Sequence, residues 1–256
     1  MVPPGGSNEP AGLSSEISRR VVAAIEQSIP LYDHVNNLIS FGRAQTARKF
    51  AIEALQLEKP KLVLDAGIGP GTTSKLLLDL CDPDQLVGLD ASPMQLKTAQ
   101  RNLTPFGQAS LHLVRGTFEF LPFRDNVFDA IITCYALRDS VDIRKSLGEY
   151  QRICGQLGVF ADVDLAKPDN VVKRAGSIFY VRYVMPLIAK LAIVGKMKGN
   201  PWRMIVPTYK ALPTTNALLS MLRGAFVSVE CREFLMGGIV AIVSRRPTSR
   251  HQRSKH

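Results

Sequence analysis

The stretch Val63-Leu64-Asp65-Ala66-Gly67-Ile68-Gly69-Pro70-Gly71-Thr72 places one acid ahead of three glycines at alternate positions. Glycine tolerates positive φ and lets a ligand lie against bare backbone. A second acid, Asp90, follows 25 residues after Asp65 and ends the apolar run LVGLD. At that spacing a carboxylate accepts hydrogen bonds from ribose hydroxyls. A nicotinamide site prefers G-x-G-x-x-G/A, because its pyrophosphate needs helix-terminal N–H groups and a closely packed helix. Here the sixth position is Thr72, and Asp65 sits just before the loop. A carboxylate there repels a pyrophosphate and suits an ammonium group. S-adenosylmethionine (SAM) carries an α-amino group, a sulfonium and no phosphate, so the loop reads as a SAM site. The alternative is a plain tight turn with Asp90 as a helix cap.

Such a loop works only at the carboxyl end of a strand that feeds a helix. KLVLDAG supplies the strand and TTSKLLLDL the helix. LVGLDAS, ASLHLVRG, VFDAIITCYAL and GVFADVDLA read as further strands, with helices at PMQLKTAQRNL and SVDIRKSLGEYQRI. Strands alternating with helices at this spacing predict an α/β fold with a mostly parallel sheet covered on both faces. SEISRRVVAAIEQS and residues 41–57 read as N-terminal helices. A basic, apolar helical insertion over 170–224 precedes two last strands, AFVSVECREF and GGIVAIVSRR, close enough to pair antiparallel. The expected organisation is a disordered tail at 1–14, one domain over 15–246 with 170–224 as lid or substrate insertion, and a basic tail at 247–256.

The chain has 256 residues and a mass of 28.1 kDa; 46% of its residues are hydrophobic and 21% charged, which excludes a disordered protein. Cys81, Cys134, Cys154 and Cys231 show no CxxC pairing, arguing against a zinc ribbon and for reduced thiols in cytosol. Two of the four histidines fall in the last six residues, so no metal centre is expected. Ile178 to Val194 contains Arg182, Pro186 and Lys190, too polar for the about 20 apolar residues of a spanning helix, and the N-terminus lacks an apolar signal region. Charge is uneven. Residues 171–256 hold 15 Lys/Arg against Glu230 and Glu233, a balance of +13; residues 1–170 hold 17 against 20, or −3. Nucleic acid and an anionic membrane are the physical partners for that surface, with plain solubility as the alternative.

Tyr32-Asp33-His34-Val35-Asn36-Asn37, VLDAGIGPG, EFLPFRDNVFDA (119–130), YALRD (135–139) and LAKP (165–168) together resemble the ubiquinone/menaquinone biosynthesis C-methyltransferases. This UbiE-type group belongs to the class I SAM-dependent methyltransferases. GGIVAI (237–242), Tyr209 and Leu212-Pro213 extend the likeness, which covers about residues 30–246. The resemblance implies a Rossmann-like seven-stranded sheet with one antiparallel strand. It places Thr117 and Phe118 around adenine, with Pro70, Ala91 and Cys134 also at the cofactor. The chain departs from the family pattern at three places: Thr117 replaces a common Asp or Asn, Arg138-Asp139 replaces Arg-Asn, and CGQLG replaces a PGG turn.

Methylating a ring carbon of a quinol requires alignment, a base for the hydroxyl proton and a cation or donor for the oxyanion. Arg138 is the candidate for the oxyanion, Asp139 for the base or for positioning Arg138, and Tyr32 for closing over the site. His34 is a further candidate base. A local ion pair and ordinary helix packing are the alternatives. The expected enzyme acts in the cytoplasm on a lipid-like quinol, with residues 171–200 lying against an anionic membrane. A homodimer is among the expected partners and nucleic acid is not. Other acceptors on the same fold are another small molecule, a lipid or, further off, RNA; a non-enzymatic relic is a further reading, with Asp139 as its best support.

Overall fold

Residues 12–106 and 109–247 are described by a computed structural model. Three helices come first: α1 (Ser15–Ser28), α2 (Tyr32–Ile39) and α3 (Arg43–Gln56). Ser14 caps α1 by accepting the Ile17 N–H at 3.3 Å. Residues 12–14 are anchored rather than tail-like: Leu13 is buried and its N–H donates to the Ser140 carbonyl at 2.9 Å. The rest of the expected N-terminal tail, and residues 248–256 of the basic tail, lie outside the described residues.

The alternating region then runs β1 (Leu62–Ala66), α4 (Thr72–Cys81), β2 (Gln85–Asp90), α5 (Pro93–Leu103), β3 (Ser110–Arg115), β4 (Phe128–Cys134), α6 (Ile143–Ile153) and β5 (Cys154–Leu165). β1, β4 and β5 are buried almost throughout, which is why they read as apolar runs without alternation. The helical segment comprises α7 (Val171–Phe179), a π-helical turn at Tyr180–Val184, α8 (Met185–Ile193), α9 (Ile205–Ala211) and α10 (Thr215–Arg223). β6 (Phe226–Phe234) and β7 (Ile239–Pro247) close the chain. The sheet order is β3-β2-β1-β4-β5-β7-β6, with β7 antiparallel to both of its neighbours. Strand order reverses between β1 and β4, so the ligand crevice of an open α/β sheet opens there, beyond the strand ends.

YDHVNNLI, unassigned between the two expected N-terminal helices, forms a helix of its own, α2. One reading needs correction. The fourth strand ends at Cys134 rather than running to Leu137. The reason is Tyr135, whose φ of 59° turns the chain even as its N–H still donates to the Val163 carbonyl at 2.6 Å. A single 3-10 turn, Leu137–Asp139, follows and lifts Arg138 and Asp139 over the strand ends. By length and mean hydropathy (1.3) the run Val171–Ile193 is apolar enough to cross a bilayer. In the fold Val181, Met185, Ala189 and Ile193, four residues apart, bury one face of that run against the body.

Candidate active site

Two clefts lie side by side at the β1/β4 end of the sheet, of about 770 and 730 Å³, both open to solvent. The first is built on the glycine loop. Gly67 and Gly69 line it with φ of 82° and 54°. A Cβ on Gly67 would stand 2.4 Å from Ala136 Cβ and 3.2 Å from the Phe118 ring, so the loop closes only with glycine there. Asp90 is fixed opposite: its Oδ2 accepts the Gly69 N–H at 3.0 Å and its Oδ1 the Ser92 N–H at 2.9 Å. Burial raises the Asp90 pKa, and those N–H groups oppose the shift. Ala91, Thr117, Phe118 and Cys134 line the same cleft. Burial pushes the Cys134 thiol up to about 12, so it presents a neutral apolar surface.

Three residues read as cofactor contacts act on the loop itself. Asp65 is buried behind it and accepts the Ser74 hydroxyl at 2.6 Å; its second oxygen has no partner. Burial raises its pKa to about 6 against the Ser74 bond and the Arg48 charge. Pro70 offers its carbonyl to the Asn102 side chain at 2.9 Å. Gly71, at φ 90°, caps α4 and leaves room for Leu103. Glu119, unnoticed in the sequence, is buried at this cleft and its Oε1 accepts the N–H groups of Val141 and Asp142 at 2.7 and 3.3 Å.

The second cleft is lined by α1, α2, α3, α8 and the loop before α9, and Val21, Ile25, Ile39, Met185, Trp202 and Ile205 give it apolar walls. It meets the first across Tyr32, Tyr135 and Asp139, which line both. Helix α1 roofs the junction, latched by the Ser92 hydroxyl donating to Glu26 at 2.5 Å and by Gln27 donating to the Lys198 carbonyl at 2.6 Å. Asp33 accepts the Thr72 hydroxyl at 2.6 Å, tying α2 and its Tyr32 to the glycine loop. Burial raises the Tyr32 pKa, keeping its hydroxyl protonated. His34 is exposed on α2 and lines neither cleft.

Arg138 and Asp139 do meet here. Arg138 Nη1 donates to Asp164 Oδ1 at 2.6 Å, and its backbone N–H donates to Asp164 Oδ2 at 3.0 Å. Asp139 Oδ1 lies 3.7 Å from Arg138 Nε and has no hydrogen bond. Burial opposes the Arg138 charge, but Asp164 and Asp139 more than offset this and its pKa rises. Burial lifts Asp139 to about 7, with Arg138 holding it down. Asp164 escaped sequence reading because an acid inside an apolar strand carries no motif. Arg48 left a usable signal. It falls on the stripe Ala44, Ala47, Ala51, Ile52, Leu55 that α3 buries, where a charged residue is out of pattern.

The arrangement is a cleft around a glycine turn and a carboxylate, abutting an apolar one with a buried acid whose pKa is raised. The sequence profile of the ubiE/COQ5 methyltransferase family matches residues 14–245. The chain belongs to that family. It is an enzyme, a methyltransferase that uses SAM, and the first cleft fits that cofactor through the glycines, Asp90 and Phe118. Over 222 residues it is 32% identical to the demethylmenaquinone methyltransferase of Thermus thermophilus, covering 85% of this chain and 97% of the relative. The corresponding enzyme of Desulfitobacterium hafniense is 30% identical over 218 residues, 84% and 85% of the two chains. The fold is shared with a SAM-dependent methyltransferase from Thermotoga maritima (TM-score 0.56, 15% identity, 88% and 99% coverage). It is also shared with the YcgJ protein of Bacillus subtilis (TM-score 0.52, 19% identity, 80% and 100% coverage).

Proposed function

We propose that this enzyme methylates a ring carbon of a demethylmenaquinol-like polyprenyl quinol. The observation that carries the reading is the apolar cleft that joins the cofactor cleft across Tyr32, Tyr135 and Asp139. Its walls suit a fused ring and the start of a prenyl chain, and its polar end holds the groups a phenol needs. When bound, SAM supplies an electrophilic methyl group on a sulfonium. Asp139 takes the proton of the quinol hydroxyl, and the freed electron pair makes the neighbouring ring carbon the nucleophile. A pKa near 7 leaves much of Asp139 ionised at neutral pH while keeping it basic enough to accept that proton. Arg138, clamped by Asp164, holds Asp139 in place and keeps its pKa from rising further. Tyr32 closes the junction. The ring carbon then loses its own proton to water as aromaticity returns, and Asp139 hands its proton back to the ring oxygen.

Names borne by the relatives support the substrate class. A prenyl quinol resides in lipid, so the reading includes contact with an anionic membrane. Phe179, Tyr183, Leu187 and Leu191 form an outward apolar stripe on α7 and α8. Arg182, Lys190 and Arg203 line one groove beside it, and only Glu230 and Glu233 carry negative charge after residue 170. The test offers purified enzyme and methyl-labelled SAM a reduced lipid extract from a strain unable to methylate its quinone, alongside total RNA. Label in a methylated quinone is expected. Label in RNA with a blank lipid phase would sink the reading.

A further inference from the structure

Among the described residues, three arginines with little exposed side chain sit on carboxylates: Arg138 on Asp164 and Asp139, Arg152 on Glu149 and Asp125, Arg245 on Glu58 and Glu230. Arg48 does not. It is 4% exposed, yet no carboxylate of the described residues forms a salt bridge with it. Its sole hydrogen bond is a long one, Nη1 to the Gln45 amide oxygen at 3.4 Å, and its Nε has no partner. The guanidinium lies 4.7 Å from the centroid of the Tyr135 ring and lines the apolar cleft. Burial raises the Asp65 pKa and the Arg48 charge opposes that rise from beyond salt-bridge range, so no carboxylate of the described residues contacts the guanidinium. A buried cation left without a direct partner is costly, and a ligand anion in the cleft would offset that cost.

We propose that Arg48 holds the ring oxyanion of the methyl acceptor. The proposal rests on the quinol reading of the apolar cleft and reassigns the oxyanion role expected of Arg138. Arg138 lies 2.6 Å from one carboxylate and 3.7 Å from another, so its charge is already spoken for. The carboxylate of SAM is not the partner sought, because Arg48 lines the apolar cleft and not the cofactor cleft. Tyr135 links the two sites. Its ring carries Arg48 on the acceptor side, it lines both clefts, and its buried hydroxyl has no partner. Deprotonation by Asp139 then creates a negative charge in a cleft that already contains an unpaired positive one. The charge pair forms in the transition state and not with the neutral quinol, which is the condition for accelerating the step.

Two probes separate this from the quinol reading. 4-Nitro-1-naphthol reports its own ionisation by absorbance, and 1-methoxynaphthalene is a neutral ring of similar shape. The wild-type enzyme is expected to bind the naphtholate in preference to the ether, to lose roughly tenfold or more of that preference on Arg48→Met, and to recover part of it in Arg48→Lys. Methylation of 1,4-naphthoquinol should fall by roughly 100-fold in kcat in Arg48→Met. Thermal melting of both variants checks that they fold, and Arg48→Lys keeps the charge in place. A naphtholate preference that survives Arg48→Met, or is absent from the wild type, overturns the proposal. A wild-type enzyme that shows the preference but leaves every quinol unmethylated overturns the quinol reading and leaves the anion site standing.

Discussion

The two clefts of this enzyme are built differently. The cleft that fits the cofactor is organised around a tight glycine turn, with Gly67 and Gly69 at positive φ, Asp90 clamped by two N–H groups, and Ala91, Thr117 and Phe118 beside them. The cleft proposed for the acceptor has no glycine among the described residues of its lining, which is drawn from helices α1, α2, α3, α8 and α9, the segment Tyr135–Asp139, the turn before α9 and the ends of β5 and β7. A cofactor common to many enzymes can be met by a fixed backbone shape. An acceptor is distinguished by the side chains that surround it. The difference predicts where a change will be felt: changes at the glycine turn should show mainly in SAM affinity, and changes in the acceptor cleft mainly in kcat.

The largest expected effect lies at the junction. Asp139→Asn should lower kcat by roughly 10² to 10⁴-fold while leaving SAM affinity near wild type. The wild-type rate should climb with pH through about 7 as Asp139 ionises. Stability should move the other way. A carboxyl whose folded pKa stands above its ordinary 3.8 costs stability progressively as pH rises from about 4 to about 7. Asp139→Asn should therefore be more stable than wild type at pH 8, by on the order of 4 kcal/mol in unfolding free energy, and match it at pH 4. A rate independent of pH across 7 would remove Asp139 as the base.

Gly67→Ala comes next. Its methyl group meets Ala136 Cβ at 2.4 Å and its φ of 82° is strained for any side chain, so SAM affinity should fall by roughly 30-fold or more. Binding of a naphtholate probe to the acceptor cleft should change far less. Equal losses in both, by calorimetry, would mean that the clefts form one cooperative unit rather than two.

The smallest effect concerns the face beyond the acceptor cleft. Leu187 and Leu191 are 57% and 66% exposed, so replacing both by serine should leave the melting temperature nearly unchanged. It should weaken sedimentation with vesicles containing phosphatidylglycerol by about 2 kcal/mol of partition energy. Undiminished vesicle binding would assign the outward stripe another role.

Residue-level legibility follows the same division. Gly67, Gly69 and Asp90 are readable because their spacing across one strand–helix–strand unit is itself the signal. Thr117, Phe118 and Cys134 came only through family resemblance, and the structure brings all three to the cofactor cleft. Asp65, Pro70 and Gly71, read as contacts, are not among the residues lining the cleft, and the bonds they make here hold the loop. His34 was placed by titration behaviour alone and sits on the wrong face of α2. Arg48 broke the apolar pattern of α3, a local irregularity whose meaning needed the neighbouring Tyr135. Asp164, on the buried strand β5, gave no signal of its kind.

Local periodicity and turn chemistry settled the alternating strands and helices, the antiparallel final pair and the cofactor loop, because hydrogen bonds and apolar faces along a contiguous segment fix them. The pairing of charges was decided only in three dimensions. Arg138 and Arg48 are the same residue type, and nothing in their immediate sequence states which has a counter-ion. The turn at Tyr135 brings Arg138 down onto Asp164, while the packing of α3 buries Arg48 over the Tyr135 ring with no carboxylate of the described residues in contact. Charge compensation depends on distances between residues far apart in the chain, and those distances exist only once the sheet and its covering helices have packed.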